Sequence, residues 1–221
     1  MTLSVALCIK SCLGSSVISS IPYVFTLAGA DGMAPPLTVG GYTIVMNFVL
    51  VLCQILVLRH RFRPVQLFQL VTGFFFGWLI DLNMWLVDPL VCDTLPLQIA
   101  AQAAGCTVMG IGIAFEVKCG SVTIPGEGIS IALCMVSGKP FAKVKIMVDT
   151  ALVVIAVMAG YLFFHTWLWS VIGAGTLFAM VYVGFIVKLL GPHLGWFDRL
   201  LSDVPGFRRV VVGLARFILR R

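Results

Sequence analysis

The feature that most constrains this chain is a series of unbroken apolar runs, each about as long as a bilayer is thick. Candidate spans lie at 11–30, 41–58, 65–87, 97–117, 146–164 and 167–190. Backbone polar groups cannot be left bare in lipid, so only helices or closed barrels can cross. The runs are continuous rather than alternating with period two, which selects helices. The expected fold is therefore all-α, a polytopic membrane helix bundle of about six transmembrane segments. Composition agrees: 60% of residues are hydrophobic and 11% charged, with mean hydropathy +1.08. A soluble domain carries about 25% charged residues, and this chain has too few to cover a surface in water.

The net charge of +6 does not point to nucleic acid, because the basic residues sit between and after the apolar runs, where they set topology. The linker Arg59-His60-Arg61-Phe62-Arg63, the lysines Lys139, Lys143 and Lys145, and the tail from Lys188 onward are basic. The stretch 30–40 carries only Asp31, and 88–96 only Asp88 and Asp93. Positive-inside then places 59–64, 139–145 and the C-terminus in the cytoplasm, with 31–40, 88–96 and His165-Thr166 outside. These assignments alternate without conflict if 119–138, rich in Gly and Pro, does not cross. It is read as a re-entrant half-helix, entered after Lys118 and left at Lys139 on the same side. Such backbone is tolerated only when buried in protein or lining a cavity. The tail 196–221 sets Phe207, Val210, Leu214 and Phe217 against several arginines, as in an amphipathic helix on an anionic cytoplasmic surface. The seven cysteines form no CxxC pair and mostly lie in apolar runs, as small buried side chains. No basic n-region precedes the first run, so no cleavable signal peptide is evident.

The chain also resembles itself. A shift of 108 residues places Ile9-Lys10 on Val117-Lys118 and Ile21 on Ile129. A shift of 102 places Gly41 to Asn47 on Lys143 to Asp149. The order of elements repeats too: an irregular segment after a lysine, a span with Asn or Asp near its start, a turn, then another span. The expected units are 1–90 and 97–192, the second containing the half-helix 119–138. With Asn47 entering from outside and Asp149 from inside, the two repeats are inverted, the construction used by many secondary transporters. A full span precedes Lys118, whereas nine residues precede Lys10. The first helix is thus expected to be short by nature or truncated by a start at an internal Met.

Several blocks resemble the YczE/YitT-type bacterial membrane proteins. They are Lys10 through Tyr23, Gln66-Leu67-Phe68-Gln69, Gly77-Trp78-Leu79-Ile80-Asp81, Pro125-Gly126-Glu127-Gly128, Gly138 through Lys145, Asp149 and Gly173-Ala174-Gly175-Thr176. The resemblance runs to about residue 192 and implies a protein of the bacterial cytoplasmic membrane whose biochemical function is uncharacterised. Members usually begin with a complete first helix, which favours the truncated start.

Ionisable groups inside a membrane cost about 2.5–3.5 kcal/mol each on insertion scales, so they face a cavity or a partner. Glu116 and Lys118 end the fourth span, Glu127 opens the half-helix, and Asp149 lies about one turn inside the fifth span. Glu127 sits between two glycines that allow close backbone approach, and a helix N-terminus favours its charge. It either caps its own helix or lines a polar pocket for a substrate or coupling cation. Lys118 either pairs with Glu116 or Asp149 or binds solute. Asn47 and Gln54, two turns apart on one face, offer interhelical hydrogen bonds, and Lys10 is the pseudo-symmetric mate of Lys118. Asp81 reads as an exposed helix end, His165 as a solvated turn residue, and Gly173 and Gly175 as close-packing positions or a break in the sixth span.

No GxSxG, HExxH or phosphate-binding loop is present, and the three histidines are far apart in sequence. No catalytic residues, metal ligands or cofactors are expected. The leading expectation is a secondary transporter of a small solute coupled to protons or sodium, with a midplane site formed by Glu116, Lys118, Glu127, Asp149, Asn47 and Lys10. An accessory protein supporting another membrane complex is the alternative, and a channel the third. The lipid bilayer is the expected partner, with room for a homodimer and no role for nucleic acid.

Overall fold

Where each apolar run stops being helical decides the architecture. The computed structural model describes residues 1–62, 64–119, 124–139, 141–190 and 193. The described residues form eight α-helices and no strand: α1 (Thr2–Lys10), α2 (Val17–Ala30), α3 (Val39–Leu58), α4 (Phe68–Leu86), α5 (Leu95–Cys119), α6 (Pro125–Ser137), α7 (Phe141–Phe164) and α8 (Ala174–Leu190). Among the described residues, three helices are long and apolar enough to cross a membrane, over Val39–Leu58, Leu95–Glu116 and Lys143–Phe164. The shorter apolar helices α2 and α6 hold 14 and 13 residues, about 20 Å of rise each, and fall short of the bilayer core. The amphipathic tail expected at 196–221 lies outside the described residues.

Two of the expected spans are not continuous. The run 11–30 breaks at 11–16 and becomes helical again only at Val17. Serines there satisfy local backbone groups and compete with the helix, and Gly14 adopts φ +135°, open to glycine alone among ordinary residues. The run 167–190 likewise becomes helical only from Ala174. These two interruptions lie against each other. Ser15 N–H donates to the Val171 carbonyl at 2.8 Å, and Gly175 N–H to the Leu13 carbonyl at 2.8 Å. The Thr176 hydroxyl donates to the Ser15 carbonyl at 2.9 Å. Polar backbone exposed by one break is thus paired by the other, as a low-dielectric setting requires. At the far end of α6, Gly138 at φ +65° closes the helix, its N–H reaching the Cys134 carbonyl at 2.9 Å.

Two pairs of helix starts match the sequence shifts, Val17 and Pro125 at 108 residues and Val39 and Phe141 at 102, whereas α1 and α5 start 93 residues apart and α4 and α8 106. Packing follows the repeat as well. The contact of α1 with α4 is mirrored by α5 with α8, α2 with α3 by α6 with α7, and α2 with α7 by α3 with α6. The exception is the last pair. α3 packs extensively along α4, but among the described residues α7 and α8 make no comparably extensive contact.

The core lies where α1, α3, α4 and α5 meet, around Val5, Ile9, Val39, Phe76, Ile80 and Met109. Outward faces are apolar too, with Leu56, Trp85, Leu162 and Val181 more than 70% exposed. Contiguous apolar surface of this extent is what a lipid-facing protein presents. The α3–α4 contact is close because Gly40 and Gly77 face each other, and a Cβ on Gly40 would collide with the Gly77 carbonyl. Beside them Asp81, read from sequence as an exposed end, accepts from Gly40 N–H at 2.8 Å and from the Thr38 hydroxyl at 2.6 Å. It caps the start of α3 from a neighbouring helix. We expect Gly40→Ala to destabilise the protein by about 1–3 kcal/mol through overpacking, read as a lower melting temperature in detergent. Gly184→Ala, where nothing lies within 4 Å of the added Cβ, is expected to be neutral or slightly stabilising. Equal melting temperatures for the two variants would contradict the close-contact account.

Candidate functional site

The two short helices begin next to each other. Ser16, Val17 and Ile18 at the start of α2 and Ile124 and Glu127 at the start of α6 line one cavity of about 510 Å³. The Ile18 side chain occupies the space a Gly126 Cβ would need, so the glycine before Glu127 lets the two helix starts meet. Aligned peptide dipoles put about half a positive charge at each helix N-terminus. Glu127 lies in the first turn of α6, where that field favours its carboxylate.

The other polar groups of the wall come from α7. Lys145 and Asp149 both line the cavity and form an i,i+4 ion pair at 2.9 Å. The remaining wall is apolar, with Ile113 from α5, Phe76 from α4, and Met180, Val183 and Val187 from α8. The site is therefore a greasy chamber with one charged end. Its volume lies within the roughly 300–1,000 Å³ typical of small-molecule sites.

Of the residues singled out from sequence, Glu127 and Asp149 are brought together at this cavity. Glu116 lies behind it: its Oε1 accepts from Ile124 N–H at 3.0 Å. The other oxygen, Oε2, is buried with no hydrogen-bond partner. Glu116 thus anchors the residue that leads into α6. Lys118 belongs to the last turn of α5, and its side chain lies outside the described part of the structure. Lys10 pairs with Asp88 at 2.8 Å, beyond the α4 end, and is not among the cavity's lining residues.

Asn47 and Gln54 are buried between helices. The Asn47 amide donates to the Gly73 carbonyl at 3.3 Å, and the Gln54 amide to the Pro125 carbonyl at 3.1 Å. Gln54 and Gln69 both crowd Gly128, where a Cβ would lie 2.9 Å from the Gln54 nitrogen and 2.7 Å from the Gln69 oxygen. Together they hold the start of α6 against α3 and α4.

Sequence reasoning overlooked Lys145 as a site residue, using it only as a topology charge. Its i,i+4 spacing from Asp149 was the available signal, because that spacing puts two side chains on one helix face. Gln102 was also missed. It accepts from the Ser11 hydroxyl at 2.7 Å and donates to the Gly175 carbonyl at 2.9 Å, joining both helix breaks. Nothing in its local sequence marks this role, which depends on two segments distant in the chain.

The chain belongs to a family of unknown function (DUF6198), whose model matches residues 1–192. No curated protein and no solved structure matches the chain.

The anchoring role of Glu116 gives a structural prediction. Glu116→Gln keeps an oxygen for Ile124 N–H, whereas Glu116→Leu leaves that donor unpaired at a cost of about 1–3 kcal/mol. Thermal unfolding in detergent should show a clear loss for the leucine variant and less than half of it for the glutamine variant. Similar losses for both would mean that the charge, rather than the hydrogen bond, matters.

Proposed function

We propose that this member of the DUF6198 family is a small secondary transporter whose solute site is the cavity between the starts of α2 and α6. The observation that carries the reading is that two half-helices begin side by side at a cavity holding Glu127, Lys145 and Asp149. Transporters of this construction place substrate and coupling ions at the ends of broken helices near the bilayer midplane. The paired packing of α1–α4 and α5–α8 and the loop charges support two inverted repeats. In this reading α2 and α6 enter the membrane from opposite sides without crossing it. The same charges support a cytoplasmic C-terminus, and the YczE/YitT-like blocks support the bacterial cytoplasmic membrane as its place.

An accessory protein that moves no solute needs no chamber, and a dry bundle would serve it better. The 510 Å³ cavity therefore favours transport. Coupling falls to the carboxylates. Glu127, with no ion-pair partner among the described residues, is the group free to take and release a proton or sodium ion, while Asp149 is held by Lys145.

Purified protein in liposomes tests this. A bacterial metabolite extract is supplied outside under an imposed proton or sodium gradient, and the lumen is analysed by mass spectrometry. Wild type is expected to accumulate at least one solute above protein-free vesicles, with loss of about tenfold or more in Glu127→Gln and a smaller loss in Asp149→Asn. Unchanged accumulation in both variants would remove the coupling role. No accumulation by wild type would leave the accessory reading.

A further inference from the structure

The cavity sits where the helix packing of the two halves differs. α3 lies packed along α4, but α7 and α8, which both line the chamber, make no comparably extensive contact among the described residues. α7 is also the least enclosed of the three long apolar helices, with 17% of its apolar window buried against 33% for α3 and 39% for α5. Lining residues on both walls stand open: Ile146 on α7 is 62% exposed and Met180 on α8 is 40% exposed. Nothing lies within 4 Å of a Cβ placed on Gly184, in the same wall. A slot between two lipid-facing helices opens toward the bilayer.

The chemistry of the slot is uneven. Its α8 side offers Met180, Val183 and Val187, and its polar lining is Glu127, Lys145 and Asp149. The Lys145 ammonium is neutralised by Asp149 at 2.9 Å. Glu127 is left without an ion-pair partner among the described residues. The α6 N-terminus offsets about half of its charge, and the described charged side chains of the lining, Glu127, Lys145 and Asp149, leave one negative charge unpaired. An apolar pocket with a carboxylate that has no ion-pair partner among the described residues suits a ligand with an apolar tail and a cationic head.

We propose that the cavity takes an amphipathic cation, an alkyl amine or alkylammonium compound, which enters sideways between α7 and α8 and sets its charged head against Glu127. The proposal rests on the transport reading for its purpose, but it is a statement about binding and is tested as one. The head seeks Glu127 because an ion pair in a water-poor chamber is screened far less than one in solvent. The tail replaces lipid or disordered water along the α8 wall.

The probe is dodecyltrimethylammonium, titrated calorimetrically into the full-length protein in phosphatidylcholine nanodiscs, with empty discs subtracted. Tetramethylammonium supplies the head alone, and dodecanoate the same tail with opposite charge. Saturable binding of dodecyltrimethylammonium is expected, about tenfold or more tighter than either comparison compound. Glu127→Gln is expected to weaken it by a similar factor. Gly184→Leu, which fills the slot where space is free, is expected to weaken it while leaving the melting temperature unchanged. Dodecanoate binding as tightly as the cation, or affinity unmoved by both variants, would overturn the proposal. The transport reading fails separately. Saturable cation binding without flux in proteoliposomes supports this ligand class and removes transport. Uptake of a water-soluble solute that is indifferent to Gly184→Leu and to the amphiphile supports transport and overturns the class.

Discussion

Everything in this molecule depends on keeping interrupted backbone paired inside a bundle that faces lipid. A helix satisfies its own N–H and C=O groups, but each break exposes several, and hydrocarbon offers them no partner. The break at 11–16 is paired by the turn before α8, through Leu13, Ser15, Val171 and Gly175, with Gln102 and Thr176 bridging the two. The approach to α6 is held by Glu116 on Ile124 and by Gln54 on Pro125. These polar contacts secure position more than they add net stability, because a hydrogen bond gains little on balance and costs much when one partner is lost.

Holding the breaks this way also determines the site. Once α2 and α6 are anchored at their starts, their N-termini share one small volume, and Gly126 lets Ile18 fit between them. The polar residues that anchor the breaks are therefore distinct from those that face the chamber. Asn47, Gln54, Gln69 and Gln102 build the frame, while Glu127, Lys145 and Asp149 face the space it encloses. In a membrane bundle both classes look alike in sequence, as isolated polar residues in apolar runs. Only one class meets a ligand in the reading developed above.

The two halves share an order of elements but not a closure. Gly40 and Gly77 draw α3 onto α4, and Asp81 fastens the contact at its end. The corresponding pair α7 and α8 lacks that contact among the described residues, and the chamber takes its place.

The apolar runs by themselves determined that the chain is helical, because no other spanning structure fits continuous rather than alternating hydrophobicity. They located α3, α5 and α7 to within a few residues at most ends, and the glycine, proline and charge pattern marked 119–138 as no ordinary span. The repeat and the pair Gly173 and Gly175 pointed to breaks in 11–30 and 167–190, but not to where each helix resumes, because hydropathy averages over the serines and glycines that interrupt a helix. Their stability comes from each other, across more than 150 residues of chain. For the same reason tertiary structure alone separated Lys10, bound to Asp88, from Glu127 and Asp149 at the cavity. Position along a run says how deep a charge lies, but which helices turn toward each other decides what that charge can touch.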